Sequence, residues 1–143
     1  MTTIAWDGRT LAADRQATVG NAVYMANKLH RHGGWILAYV GDSDAGEEML
    51  SWFRAGANPE DFPEQQRKDD RFAPLLAIRA GEIRIYERTP HPVRYPPQKL
   101  ALGSGRDFAL AAMHCGRSAS EAVEVAALFD PGTGFGVDAM VIE

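Results

Sequence analysis

The first residues in this chain with a reaction in them are Met1-Thr2. Threonine is small enough for the initiator methionine to be removed, which leaves a free α-amine beside a hydroxyl. An α-amine titrates near about 7.7–8.0, so much of it is an unprotonated base near neutral pH. Placed beside its own hydroxyl, it can accept that proton and turn the oxygen into a nucleophile. Other groups offer less. His30 and His32 would share a strand face and could hold a metal, but no third ligand is near them in sequence. His114 and Cys115 are neighbours on a helix, about 100° apart, and do not face each other as a Cys–His dyad would. DPGTGFG, from Asp130 to Gly136, lacks the G-K-[ST] of a phosphate loop. Taken singly, Asp14 reads as a strand-end carboxylate and Lys28 as a solvated lysine. Gly41-Asp42-Ser43 reads as a strand-to-helix connection with a capping residue. Ser104-x-x-Asp107 before an alanine-rich run reads as a capping box. Trp52 and Phe53 read as core or interface residues.

A nucleophile at the chain start needs a frame to hold it. Thr3-Ile4-Ala5-Trp6 is a short β-prone run, and Asp7-Gly8 is a hairpin-turn signal. Thr10 to Ala13 begins a second strand. Gly20-Asn21 marks a turn, and Leu29 to His32 is a short strand before Gly33-Gly34. Trp35 to Val40 is a continuous apolar run between glycines, as expected of a buried strand. The period then changes. Ala45, Met49, Leu50, Trp52 and Phe53 fall on one helical face, with Gly56 as a stop. Residues 57–71 carry two prolines and eight charges and read as a loop with at most one short helix. Phe72 to Ile78 and Glu82 to Tyr86 flank Ala80-Gly81 as a hairpin. Thr89 to Pro97 is proline-rich and reads as an edge segment. Lys99 to Leu102 is a short strand before Gly103-Ser104-Gly105. Helices follow over about Arg106–Cys115 and Ser118–Phe129, and Val137 to Ile142 closes as a strand. Strands in blocks imply antiparallel sheets with segregated helices, an α+β fold.

Composition narrows the class. The chain has 143 residues, enough for one domain, expected to span 1–143. Lys and Arg total 15 against 19 Asp and Glu, a net charge of -4, which disfavours a phosphate-driven nucleic-acid binder. The longest apolar run, Trp35–Val40, falls far short of the roughly 20 residues of a membrane span. The single Cys115 excludes an internal disulfide and CxxC chemistry. The first residues lack the basic start and apolar stretch of a secretory signal, so a cytoplasmic protein is expected.

Residues 2–21 read TTIAWDGRTLAADRQATVGN. This stretch resembles the start of the proteasome β-subunit and HslV-like threonine peptidases, which are N-terminal nucleophile (Ntn) hydrolases. Those chains begin with a processed Thr-Thr-Ile and continue with A-x-D-x-Q-A-T-x-G-N, here Ala12 to Asn21. Further matches follow in order: Lys28, then Tyr39-Val40-Gly41-Asp42-Ser43, then Gly103-Ser104-Gly105, then Asp130-Pro131-Gly132-Thr133-Gly134. The resemblance is collinear over essentially the whole chain. It implies a four-layer αββα sandwich, with two antiparallel sheets between helix layers. It makes Thr2 the nucleophile and its amine the general base. Lys28 would sit near the Thr2 hydroxyl, with Asp14 holding the lysine charged and oriented. The Gly41 N–H would form the oxyanion hole. Ser104 would hydrogen-bond near the Thr2 amine, with Asp130 and Thr133 behind it. No cofactor and no metal are implied. The implied partners are copies of the chain in a ring, a polypeptide substrate and an ATP-dependent unfoldase.

The chain departs from that pattern in one place. The family has two long helices between the strand near Gly41 and the strand near Leu75. Here residues 57–71 stand in for the second, which thins a helix layer. That bears on ring contacts and partner docking more than on the chemistry. Two other readings keep the fold: an Ntn amidase acting on a small amide, and a non-catalytic subunit that assembles a ring.

Overall fold

A computed structural model describes residues 1–68 and 70–142. In chain order the elements begin with β1 (Thr3–Trp6), β2 (Thr10–Asp14), β3 (Gln16–Val19), β4 (Ala22–Met25), β5 (His30–His32) and β6 (Trp35–Tyr39). Helix α1 (Ser43–Arg54), a 3-10 turn (Pro59–Asp61) and α2 (Glu64–Lys68) follow. Next come β7 (Leu75–Arg79), β8 (Glu82–Tyr86), β9 (Val93–Tyr95) and β10 (Leu100–Gly103). Helices α3 (Arg106–His114) and α4 (Ala119–Phe129) precede β11 (Val137–Val141). Among the described residues no helix is long and apolar enough to cross a membrane. The chain forms two compact units, Met1–His30 with the chain from Pro97 on, and Arg31–Pro96.

The first unit holds a sheet in the order β10-β1-β2-β11, every pair antiparallel. Its helix-covered core is built of small residues. Ala5 and Ala12, which are register partners, pack with Ala109, Met113, Ala122, Val123 and Ala126 of α3 and α4. Alanine on both sides lets the helices approach the sheet closely. Helix α4 starts at Ser118 with a full capping box, Ser118 and Glu121 each bonding the other's backbone. It stops at Asp130, and Pro131 cannot continue it. The fit is tightest where β1 meets β10. Thr3 pairs with Gly103, whose φ is +97, and a Cβ there would overlap the Thr2 carbonyl. Gly103→Ala therefore meets both a forbidden dihedral and a backbone clash. It should cost more than about 2 kcal/mol, read from the denaturant midpoint, where a surface glycine change costs a fraction of that.

The second unit holds a sheet in the order β5-β6-β7-β8-β9. Helix α1, capped by the Asp42 carboxylate on the Ala45 N–H, lays Met49, Leu50, Trp52 and Phe53 against Leu37, Leu75, Ala77 and Tyr86. Trp52 and Phe53, at 5% and 6% exposure, are core residues and not a face left for a neighbour. Trp52 meets Phe62 and Tyr86 edge-on at 5.0 and 5.1 Å. The charged segment after α1 is more ordered than its composition suggests. Besides the 3-10 turn it contains α2, and the fully buried Gln66 pins it. The Gln66 amide donates to the carbonyls of Ala73 and Glu87 and accepts the Ala73 N–H. A glutamine satisfied on both sides replaces the apolar stripe that a longer helix would need. Thr89–Pro97 contributes β9, the edge strand that its prolines allow.

Candidate active site

The hairpin β3–β4 brings a lysine to the start of the chain. It pairs Gln16 with Met25 and turns at Gly20-Asn21. The pairing runs on through the Ala26 N–H to the Arg15 carbonyl, which carries Lys28 back past the end of β2. Buried Leu29 fixes the chain just beyond it. The Lys28 ammonium has three protons and three acceptors: Asp14 Oδ1 at 2.8 Å, Thr2 Oγ1 at 3.1 Å and the Met1 carbonyl at 3.3 Å. Its side chain is 10% exposed. Burial lowers the Lys28 pKa, and the bond and charge of Asp14 oppose that loss.

Asp14 is fully buried, and its two oxygens accept four hydrogen bonds. Oδ1 takes the Lys28 ammonium and the Thr3 N–H at 3.0 Å. Oδ2 takes the N–H groups of Gln16 at 3.2 Å and Gly134 at 3.1 Å. A carboxylate held this way cannot rotate, so the lysine it holds cannot either.

A second carboxylate reaches Thr2 through Ser104. Asp130 ends α4, and its Oδ1 accepts the Gly132 N–H at 3.2 Å. Its Oδ2 accepts the hydroxyls of Ser104 and Thr133, each at 2.6 Å. Burial acts to raise the Asp130 pKa, but those hydroxyls and the Gly132 N–H outweigh it and hold the carboxyl below its usual 3.8. The Ser104 hydroxyl also lies 3.4 Å from the Thr2 carbonyl. It has one proton, and the short bond to a carboxylate claims it. Its lone pairs are thereby left to accept from another donor. Ser104 is not a helix cap: the N-cap of α3 is Gly105, with no side-chain hydrogen bond. The aspartate across the fold competes better for the hydroxyl than the first turn of the helix does.

Thr3 closes the circuit. Alternation along β1 turns it away from Thr2, and its hydroxyl lies 2.6 Å from that of Thr133. The contacts then run Thr2, Lys28, Asp14, Thr3, Thr133, Asp130, Ser104 and back to Thr2. Six of the seven residues singled out from the sequence stand in this one circuit. Gly41 belongs to the second unit, between β6 and α1. Its φ is +96, and a Cβ would lie 2.5 Å from the Phe72 carbonyl oxygen, so the position needs glycine. Sequence reasoning missed Thr3 and Gln16, whose amide donates to the Pro131 carbonyl at 3.0 Å. Both sit inside the quoted TTI and Asp14–Asn21 stretches, which was the available signal. His30 and His32 stand on β5 with only Arg31 between them, and among the described residues no cluster of three or more metal-ligating side chains occurs.

The sign of the Asp130 shift gives a pH prediction. A carboxyl whose folded pKa is depressed adds stability above its unfolded value of about 3.8 and loses it as pH falls through the folded value. The thermal midpoint should fall on acidification below that point. In Asp130→Asn the fall should be shallower, from a lower starting midpoint. Equal acid slopes would remove Asp130 from the acid response.

Among chains of known structure, HslV from Trypanosoma brucei superposes with a TM-score of 0.74 at 22% identity, over 99% of this chain and 98% of that one. Thiobacillus denitrificans BPH superposes in its complex with epoxomicin (TM-score 0.69, 23% identity, 99% and 97% covered) and as BPH itself (0.68, 22%, 99% and 97%). No family model matches the chain, and no curated protein matches it. The antiparallel sheets, the helices among the described residues and this end-to-end likeness agree: the chain has the fold of HslV and BPH.

Proposed function

We propose that the chain is a threonine-type endopeptidase subunit, with Thr2 as its N-terminal nucleophile once Met1 is removed. One observation carries this: the Lys28 ammonium bridges the Thr2 hydroxyl and a fully buried aspartate. A surface lysine has no need of such a seat. Beside Thr2 Oγ1 the cation favours the alkoxide and disfavours protonation of the neighbouring amine. The Thr2 amine takes the hydroxyl proton, and Oγ1 attacks the peptide carbonyl carbon. The amine then gives its proton to the leaving nitrogen as the C–N bond breaks, leaving an ester on Thr2. Water, deprotonated by the same amine, hydrolyses the ester and restores the threonine. Ser104, its proton turned to Asp130, accepts an amine N–H and aims the amine's lone pair. The resemblance adds the Gly41 N–H as oxyanion donor. It also adds assembly into a ring and an ATP-dependent unfoldase that feeds polypeptide into it.

The test starts with intact mass, since the mechanism needs a chain shorter by its methionine. Epoxomicin, present in the BPH complex, is the probe. The processed protein should gain one equivalent and lose its hydrolysis of fluorogenic peptides. A processed chain that takes no label would end the nucleophile reading. Labelling without peptide turnover would move the activity to a small amide.

A further inference from the structure

The second unit carries a surface that this chemistry does not use. Trp35 opens β6, and two guanidinium groups lie over its ring, Arg79 at 4.3 Å and Arg84 at 4.8 Å from the centroid. Both arginines converge with Arg94 on a single carboxylate. Arg79 Nη2 lies 2.7 Å from Glu82 Oε1, Arg84 bonds Oε2, and Arg94 Nε lies 3.8 Å from Oε2. Three cations on one anion leave a local surplus of positive charge, in a chain whose net charge is -4. The side chains of Arg79 and Arg94 are 47% and 63% exposed. The register adds a cost: Arg84 stands directly opposite Arg94 across β8 and β9, and like charges so placed repel. Glu82 offsets part of that repulsion by facing both guanidinium groups, and a second carboxylate from outside would offset the rest. On the edge strand Val93 and Tyr95 flank Arg94, and both are exposed.

The opposite charge lies elsewhere in the same unit. A cleft of about 490 Å³ opens between α1 and the 3-10 turn, over Trp52. Glu47, Glu48 and Asp61 line it, and among the described residues no lysine or arginine does. Ser51, Ala55, Asn58 and Pro63 form the rest of its wall.

We propose that the Arg79–Arg84–Arg94 surface docks on the acidic cleft of a second copy of this chain, as the contact between neighbours in the ring. This rests on the ring reading above. The two patches share no residue, so the contact is heterologous: each copy offers its basic surface to one neighbour and its acidic cleft to the other. Such contacts close into rings when the rotation per subunit allows. Complementary charge sets the register and speeds encounter.

The test reverses the charges singly and together, with light scattering as readout. Arg94 and Glu48 are both exposed and lie outside the catalytic circuit. Arg94→Glu alone and Glu48→Arg alone should each weaken association at least about tenfold at low salt, with thermal midpoints near wild type. The double variant pairs the reversed charges and should recover the wild-type mass. Single variants that assemble like wild type would overturn the docking, as would a double variant that fails to recover. In either case the arginines face another partner, such as an acidic polypeptide. Failure of the ring reading looks different: the wild-type chain itself stays monomeric at micromolar concentration.

Discussion

Thr2→Ala should abolish peptide turnover while leaving the fold and the assembly as they are. The substitution removes one half-buried hydroxyl and no core packing. Lys28 keeps its bond to Asp14, so the buried pair stays intact. Alanine is also small enough for Met1 to be removed, so the variant retains a free amine in place. Only the oxygen proposed to attack is missing. Loss of a covalent nucleophile costs on the order of 10⁶-fold in kcat in a well-studied hydrolase, which puts the variant below detection. Thr2→Ser keeps the amine–hydroxyl pair and should turn over measurably, at a reduced rate, because the missing methyl frees the hydroxyl to rotate. Fluorogenic peptide cleavage, the thermal midpoint and light scattering separate chemistry from folding. Full activity in Thr2→Ala would end the mechanism.

The candidate site was legible in the sequence where its residues carry their own signature, and obscure where only the folded chain brings them together. Thr2, Asp14 and Lys28 lie within 27 residues of one another, on two strands and a hairpin whose turns are written in Asp7-Gly8 and Gly20-Asn21. Most strands and the two C-terminal helices follow from periodicity and glycine placement, but β3 and β4 carry no clear alternation, and only the Gly20-Asn21 turn between them was legible. Ser104 shows the limit. Its neighbourhood spells a capping box, yet its hydroxyl bonds Asp130, 26 residues on, and no local pattern announces that. Thr3 bonds Thr133 across 130 residues and looks like any strand threonine until the turn after α4 is in place. Trp52 and Phe53 could serve a core or an interface with equal sense. Only the sheet beneath α1 decides for the core. Residues 57–68 escape for a different reason: one buried glutamine orders them, and that leaves no hydrophobic period to read.

Lys28→Ala tests the electrostatics that the whole reading leans on. In the wild-type chain the ammonium sits 3.1 Å from Thr2 Oγ1 and 2.8 Å from a carboxylate with no exposure to water. Removing it withdraws the cation that favours the alkoxide, and a contributor of this kind typically carries about two to three orders of magnitude in rate. It also strips Asp14 of its only charged partner among the described contacts. Three backbone N–H groups still hold that carboxylate, so the stability loss should fall near about 1–3 kcal/mol and not at the larger cost of a bare buried charge. Lys28→Arg should not rescue the rate. The seat has three acceptors converging on one nitrogen, and a planar guanidinium cannot point three protons from one atom in those directions. It should recover part of the stability, because the charge beside Asp14 returns. That split is the decisive readout. A solvated surface lysine would tolerate both changes within about 0.5 kcal/mol and without kinetic effect. Peptide cleavage near the wild-type rate in Lys28→Ala would return the lysine to a structural role and leave the Thr2 hydroxyl without its activating charge.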